Sequence, residues 1–254
     1  MRGLITAFRT LTLLPVPGRD AEDFSRSLPF FPVVGAVVGL IVAGVVWVFL
    51  DRLGLPLAAG AVGCALTALL TRGLHLDGLA DTADALGGGR TRERRLEIMK
   101  DPHVGAFGVI AVSTCLLLKA AALSEIASFG HGQFLWIAVP FVISRTVMVE
   151  IAVLLPYARA EGGTASPFVR NSRPVHLIGA LVVAAGVCFA LSGYAGLLAL
   201  LAGLVASGLL ILWMRDVFGG VTGDLLGMAN EVIETSLLLA VAAANPLLAD
   251  IVPF

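Results

Sequence analysis

The sequence predicts an all-α fold: a polytopic transmembrane helical bundle of about seven spans, N-terminus cytoplasmic, with a short N-terminal interfacial helix. Three observations predict it. Of the 254 residues 58% are hydrophobic and 14% charged, with a mean hydropathy of +0.95, against about 45–50% apolar and about 25% charged in a soluble domain. Apolar runs recur at lengths near the roughly 20 residues that cross a bilayer. Once those runs are taken as spans, Lys and Arg fall almost wholly on one side.

Residues 1–27 precede the first span. Leu4, Ile5, Phe8 and Leu11 share a face at helical spacing, which suits an interfacial helix ended by Pro15 and Pro17. A disordered tail is the alternative. Arg9 interrupts the apolar run and "LLPVPG" offers no small-residue cleavage site, so the stretch is not read as a signal peptide. The spans follow near 28–50, 55–71, 105–125, 133–155, 175–191, 195–214 and 225–244, the second and fifth being short and rich in Gly and Ala. Small residues throughout suit helices that pack closely in lipid.

Orientation follows from the basic residues. Arg2, Arg9, Arg19, Arg26, Arg72, Arg90, Arg92, Arg94, Arg95, Lys100, Arg159, Arg170, Arg173 and Arg215 fall on the N-terminal side. Arg52 alone falls opposite, while Lys119 and Arg145 lie within spans. Fourteen against one places the N-terminus inside and the C-terminus outside. The whole chain, 1–254, reads as one membrane domain whose partner is the bilayer; the net charge of −1 says little about partners, and no nucleic acid is expected. Cys64, Cys115 and Cys188 are dispersed within spans without a CxxC, which argues against disulfides and a zinc site.

The segment 72–104 carries the chemistry. In "HLDGLADTADALGGG", Asp77, Asp81 and Asp84 are spaced i, i+4, i+7 and share one helical face. Three like charges repel unless something positive sits among them, and a hard divalent cation such as Mg²⁺ is the simplest candidate. Gly78 permits close approach by a ligand or a second backbone, at some cost in helix stability. Scattered acids at a solvated helix end are the bland alternative. Arg90, Arg92, Arg94, Arg95 and Lys100 follow at once; topology alone explains their number, but not their adjacency to three acids. A carboxylate–metal cluster beside a basic loop suits a pyrophosphate-containing substrate. Lys100 and Asp101 before Pro102 mark a turn, and Gly105 and Gly108 let the next span start close to the site.

A second acidic group opens the last span: Asp224, Glu231 and Glu234 in "GGVTGDLLGMANEVIETS". Carboxylates in an apolar helix are costly and suggest function. Asp224 has the alternative reading of a helix N-cap, and the two glutamates that of ion-pair partners for Arg145. Asp224 and Glu231 share a face, so the two acidic groups are expected to converge on one cytoplasm-facing cavity.

With these motifs on the page, the chain resembles the cobalamin synthase family, the adenosylcobinamide-GDP ribazoletransferases. The resemblance runs through "FRTLTLLPVP", "LPFFPVVGAVVG", "HLDGLADTADALGG", "RRLEIMKDPHVGAFGVIA" and "GGVTGDLLGMANEVIET". It implies a multi-pass enzyme of the prokaryotic inner membrane. Such an enzyme joins adenosylcobinamide-GDP to α-ribazole or its 5′-phosphate, releases GMP, and needs Mg²⁺ or Mn²⁺. On that reading Asp77, Asp81 and Asp84 hold the metal and, with Glu231, form the catalytic set. Substrate binding falls to His75, Gly78, Arg94, Arg95, Lys100, Asp101, Arg145, Asp224 and Glu234. Asp84, Glu231 and His75 are the candidates for a general base, and a homo-oligomer is an open possibility. Two alternatives stand beside this. CDP-alcohol phosphotransferases are similar at Asp77-Gly78 but carry an Arg where Ala80 stands. A cation or solute transporter would place its charges nearer mid-membrane and show repeated halves.

Overall fold

The computed structural model describes residues 1–127 and 134–251, with side chains through Ala244. Among the described residues there are ten α-helices and two 3-10 segments: α1 Arg2–Leu11, the 3-10 segment Phe24–Phe30, α2 Phe31–Leu53, α3 Pro56–Leu70, α4 Leu74–Gly88, α5 Arg92–Ile98, α6 Ala106–Ala127, the 3-10 segment Phe134–Ile137, α7 Ala138–Leu154, α8 Ser166–Arg170, α9 Pro174–Phe218 and α10 Gly223–Ile251. Among the described residues five helical stretches are long and apolar enough to cross a membrane, or six if α3 and α4 count as one bent span. The fourth expected span began at 133, which lies outside the described residues.

Centre and rim are set by where side chains are small. The α7 helix is buried on nearly every face and packs against α2, α9 and α10. Gly35 and Gly39 of α2 bring two backbones together: a Cβ at Gly35 would stand 2.3 Å from the Phe141 carbonyl oxygen. This is the small-residue packing that membrane helices use, since apolar side chains gain nothing over lipid there. Outward faces stay greasy, with Leu57, Leu117, Val182 and Leu209 all well exposed.

Two departures from straight spans matter. At 15 residues, α3 is about 22 Å long, short of the roughly 30 Å hydrocarbon core. Arg72 (φ 56°) and Gly73 (φ 67°) then take left-handed conformations in succession, and α4 leaves at 89° to α3. Arg72 is held there by bonds from its guanidinium to the carbonyls of Arg9 (3.1 Å) and Thr12 (3.0 Å). So α4 runs across the end of the bundle rather than along it. The second departure is in α9, which breaks at Ser192 and Gly193, between the fifth and sixth expected spans. The Cys188 carbonyl meets Gly196, Pro29 packs on Gly179, and Arg95 reaches the Val217 carbonyl. Both outer ends of α9 therefore return to one end of the bundle.

That end gathers α1, α4, α5 and α8. As expected, residues 2–11 form a helix, burying Phe8 and Leu11. Its Arg9 ties down the following segment through Asp20 and the carbonyls of Val16 and Gly18. A short bridge between Tyr157 and Val221 pins the α7–α8 connection to the start of α10.

Candidate functional site

Two backbones in contact build the site. A Cβ at Gly78 would lie 2.4 Å from the Asp224 carbonyl oxygen and 2.9 Å from its Cα. Reciprocally, a Cβ at Gly227 of α10 would stand 3.1 Å from the His75 Cα. The contact sets Asp224 beside the aspartates of α4. Thr222 caps α10 by accepting from the Leu225 amide (3.3 Å), so the capping alternative for Asp224 falls away. Asp224 instead accepts from Arg159 (2.9 Å), which the Tyr157–Val221 bridge holds in place.

The three α4 aspartates are not equivalent. Asp84 accepts from the amides of Gly105 (2.7 Å) and Gly108 (2.9 Å), one to each oxygen, and so anchors the N-terminus of α6. The Asp77 and Asp81 carboxylates have no hydrogen bond or ion pair among the described residues. Burial, then the neighbouring charges of Asp77, Asp224 and Asp84, push the Asp81 carboxyl up to about 7. Among the described residues no three His, Cys, Asp or Glu side chains converge closely enough to hold a metal unaided. The expected trio Asp77, Asp81 and Asp84 is therefore not assembled, because Asp84 is turned to the start of α6. Asp77 and Asp81 with Asp224 adjacent still suit Mg²⁺. That ion takes one or two protein carboxylates and fills its shell with water and phosphate oxygens.

Cavities lie on both sides of α4, and Asp77, Thr10 and Leu74 line both. One is an open groove of about 690 Å³ along the first turns of α6, with Arg72 on its wall. The other is a more enclosed chamber of about 400 Å³ reaching Asp224, His75 and Phe168. His75 is 1% exposed. Its Nδ1 meets the Asn230 amide nitrogen at 3.1 Å, and its buried Nε2 has no partner.

The basic loop divides in two. Arg95 donates to the carbonyls of Gly89 (3.0 Å) and Val217 (3.3 Å), and Arg92 to that of Ala158 (3.2 Å), so these two stitch α5 to its neighbours. Arg94 pairs with Glu97 (2.6 Å) and Lys100 with Glu161, both at the surface. Such pairs are weak and exchangeable. Asp101 closes the turn after α5 by accepting from the His103 amide (2.9 Å).

The structure brings Asp224 into the chamber with Asp77, and it does not bring Glu231 and Glu234 there. Both glutamates are at most 2% exposed and lie inside the bundle. Lys119 donates to Glu231 and to Glu234, each at 2.7 Å, and Arg145 pairs with Glu234 and donates to Ser144. Seven residues along a helix is about 10 Å of travel, enough to leave the mouth for the interior. The single-cavity expectation is corrected accordingly: Glu231, Glu234 and Arg145 form a buried ion cluster, and Glu231 lines a separate side cavity of about 330 Å³. Two residues that the sequence analysis used only for topology take structural roles beside these carboxylates, Lys119 and Arg159. Lys119 could have been found, since a lysine inside a span demands an acid. Arg159 carried no signal beyond its charge.

A family model described as cobalamin-5-phosphate synthase matches residues 3–242. Among curated relatives, the adenosylcobinamide-GDP ribazoletransferase of Chlorobium phaeobacteroides is 45% identical over 92% of this chain and 94% of its own. That of Chlorobaculum tepidum is 45% identical over 95% of each. The enzyme of the same name from Syntrophobacter fumaroxidans is 42% identical over 94% of this chain and 97% of its own. No solved structure matches.

Proposed function

Because the chain belongs to the cobalamin-5-phosphate synthase family, we propose that it joins adenosylcobinamide-GDP to α-ribazole or its 5′-phosphate and releases GMP. This is a late step of cobalamin assembly, carried out at the cytoplasmic face of a prokaryotic inner membrane. The observation that carries the reading is the pair Asp77 and Asp81, two carboxylates without partners among the described residues, set against Asp224 at the wall of a chamber. Neither they nor Asp224 could receive a pyrophosphate directly, since like charges at such distances repel.

A divalent cation, Mg²⁺ or Mn²⁺, would be held by Asp77 and Asp81 with Asp224 alongside, and supplies positive charge for the pyrophosphate and the departing GMP phosphate. A ribazole hydroxyl attacks the phosphorus carried by the corrinoid arm. The new P–O bond forms as the bond to GMP breaks, and the hydroxyl proton passes to solvent. A loose phosphoryl transition state holds that proton until late, so no strong base is demanded. Glu231 is tied to Lys119 and Asp84 to α6, which removes two of the three candidate bases. Arg94 and Lys100 can exchange a surface acid for a phosphate oxygen. Arg159 holds Asp224 in position. The cytoplasmic placement is supported by the arginine asymmetry and by α1, α4, α5 and α8 gathering at one end.

The test is direct. Purified protein in detergent, given both substrates and Mg²⁺, should yield the joined corrinoid and GMP in equal amounts by mass spectrometry. Folded, monodisperse protein that forms neither product would overturn the reading.

A further inference from the structure

The enclosed chamber and the open groove differ in ways that bear on which substrate sits where. At about 400 Å³, the chamber lies at the small end of the range for drug-sized ligands, about 300–1,000 Å³. A nucleoside fits such a volume, and a corrin macrocycle with a nucleotide arm does not. The wall has two sides. Phe31 and Phe168, ring centroids 6.2 Å apart, join Leu28 and Met148 in an apolar half. Asp77, Asp224, Thr164 and His75 form the polar half. No Lys or Arg side chain is in its lining, whereas Arg72 lines the open groove; a pyrophosphate on the groove side meets that cation and still reaches a metal at Asp77, which lines both.

We propose that this chamber is the acceptor subsite, taking the aromatic base of α-ribazole against Phe31 and Phe168 and turning its sugar toward Asp77 and Asp224. The corrinoid nucleotide stays outside it. The assignment rests on the transferase reading above and deepens it.

The experiment fills the chamber from two independent walls. Ala165→Phe and Ala152→Leu both add bulk at lining positions; Val109→Phe adds it to the open groove instead. Full-length protein in detergent is assayed for KM of each substrate, and for α-ribazole binding alone by calorimetry. Ala165→Phe and Ala152→Leu should each raise the KM for α-ribazole at least tenfold and weaken its binding equally, with the corrinoid nucleotide KM within twofold. Val109→Phe should leave the α-ribazole values unchanged. Should Ala165→Phe fail to fold, Ala165→Val supplies a smaller shift in the same direction. Unaltered α-ribazole binding in folded Ala165→Phe and Ala152→Leu, or a KM shift confined to the corrinoid nucleotide, overturns the assignment. If wild-type protein binds α-ribazole in the chamber but shows no transfer, the transferase reading fails while the subsite stands.

Discussion

Gly78→Ala adds one methyl group at the contact that assembles the site. Its Cβ would stand 2.4 Å from the Asp224 carbonyl oxygen, where ordinary contact begins near 3.4 Å. The atoms it meets are backbone, so no side chain can swing away, and the two helices must part by about 1 Å. Alanine is about 1 kcal/mol better than glycine inside a helix, while overpacking a close contact costs about 1–3 kcal/mol. Net destabilisation is thus between about zero and 2 kcal/mol, and the protein folds. Activity should suffer far more, because a misplacement of about 1 Å at a reacting centre costs on the order of 100-fold, or about 2.7 kcal/mol of barrier. The assay is kcat in detergent with saturating substrates and Mg²⁺, alongside a thermal melt. Gly186→Ala is the control, since nothing lies within 4 Å of a Cβ there; it should leave kcat unchanged. A Gly78→Ala enzyme turning over within threefold of wild type would refute the claim that this contact sets the carboxylate geometry.

Chelation with EDTA should abolish turnover and added Mg²⁺ restore it, and Asp81→Asn should be inactive yet folded; full activity in chelator would remove the metal. Lys119→Met leaves Glu231 and Glu234 short of a cation and should cost about 3–5 kcal/mol, read as a fall in Tm. Adding Glu231→Gln should recover part of that loss, and strictly additive effects would deny the pairing. Arg95→Ala, which removes bonds to two carbonyls, should lower Tm before it changes any KM; the reverse order would make Arg95 a substrate ligand. A reporter fused after Phe254 should read as extracytoplasmic, and a cytoplasmic signal would mean an even number of crossings.

Much of this was legible in the sequence because periodicity and charge asymmetry are local signals. The amphipathic face of α1 and the shared face of Asp77 and Asp81 follow from spacing alone. What spacing could not supply is depth. Asp224 and Glu231 share a face, but the drop between them carries Glu231 from the mouth to the interior. Its partner Lys119 lies 112 residues earlier, a pairing no local pattern encodes. Asp84 illustrates a second limit: whether a carboxylate faces a ligand or caps a helix depends on where α6 begins. The right-angle turn at Arg72 was invisible too, because a non-glycine residue in the left-handed region has no compositional signature.

The buried quartet of Lys119, Arg145, Glu231 and Glu234 has a consequence for life in an energised membrane. The transmembrane potential does work of about 2.3 kcal/mol per elementary charge per 100 mV. A lone lysine or glutamate at this depth would make the fold's stability rise or fall with the cell's energetic state. Two cations and two anions in mutual contact sum to zero, so the field finds only a compact dipole to act upon. The bundle that holds up the site therefore carries no gating charge at its heart, and its packing is indifferent to whether the membrane is polarised or spent.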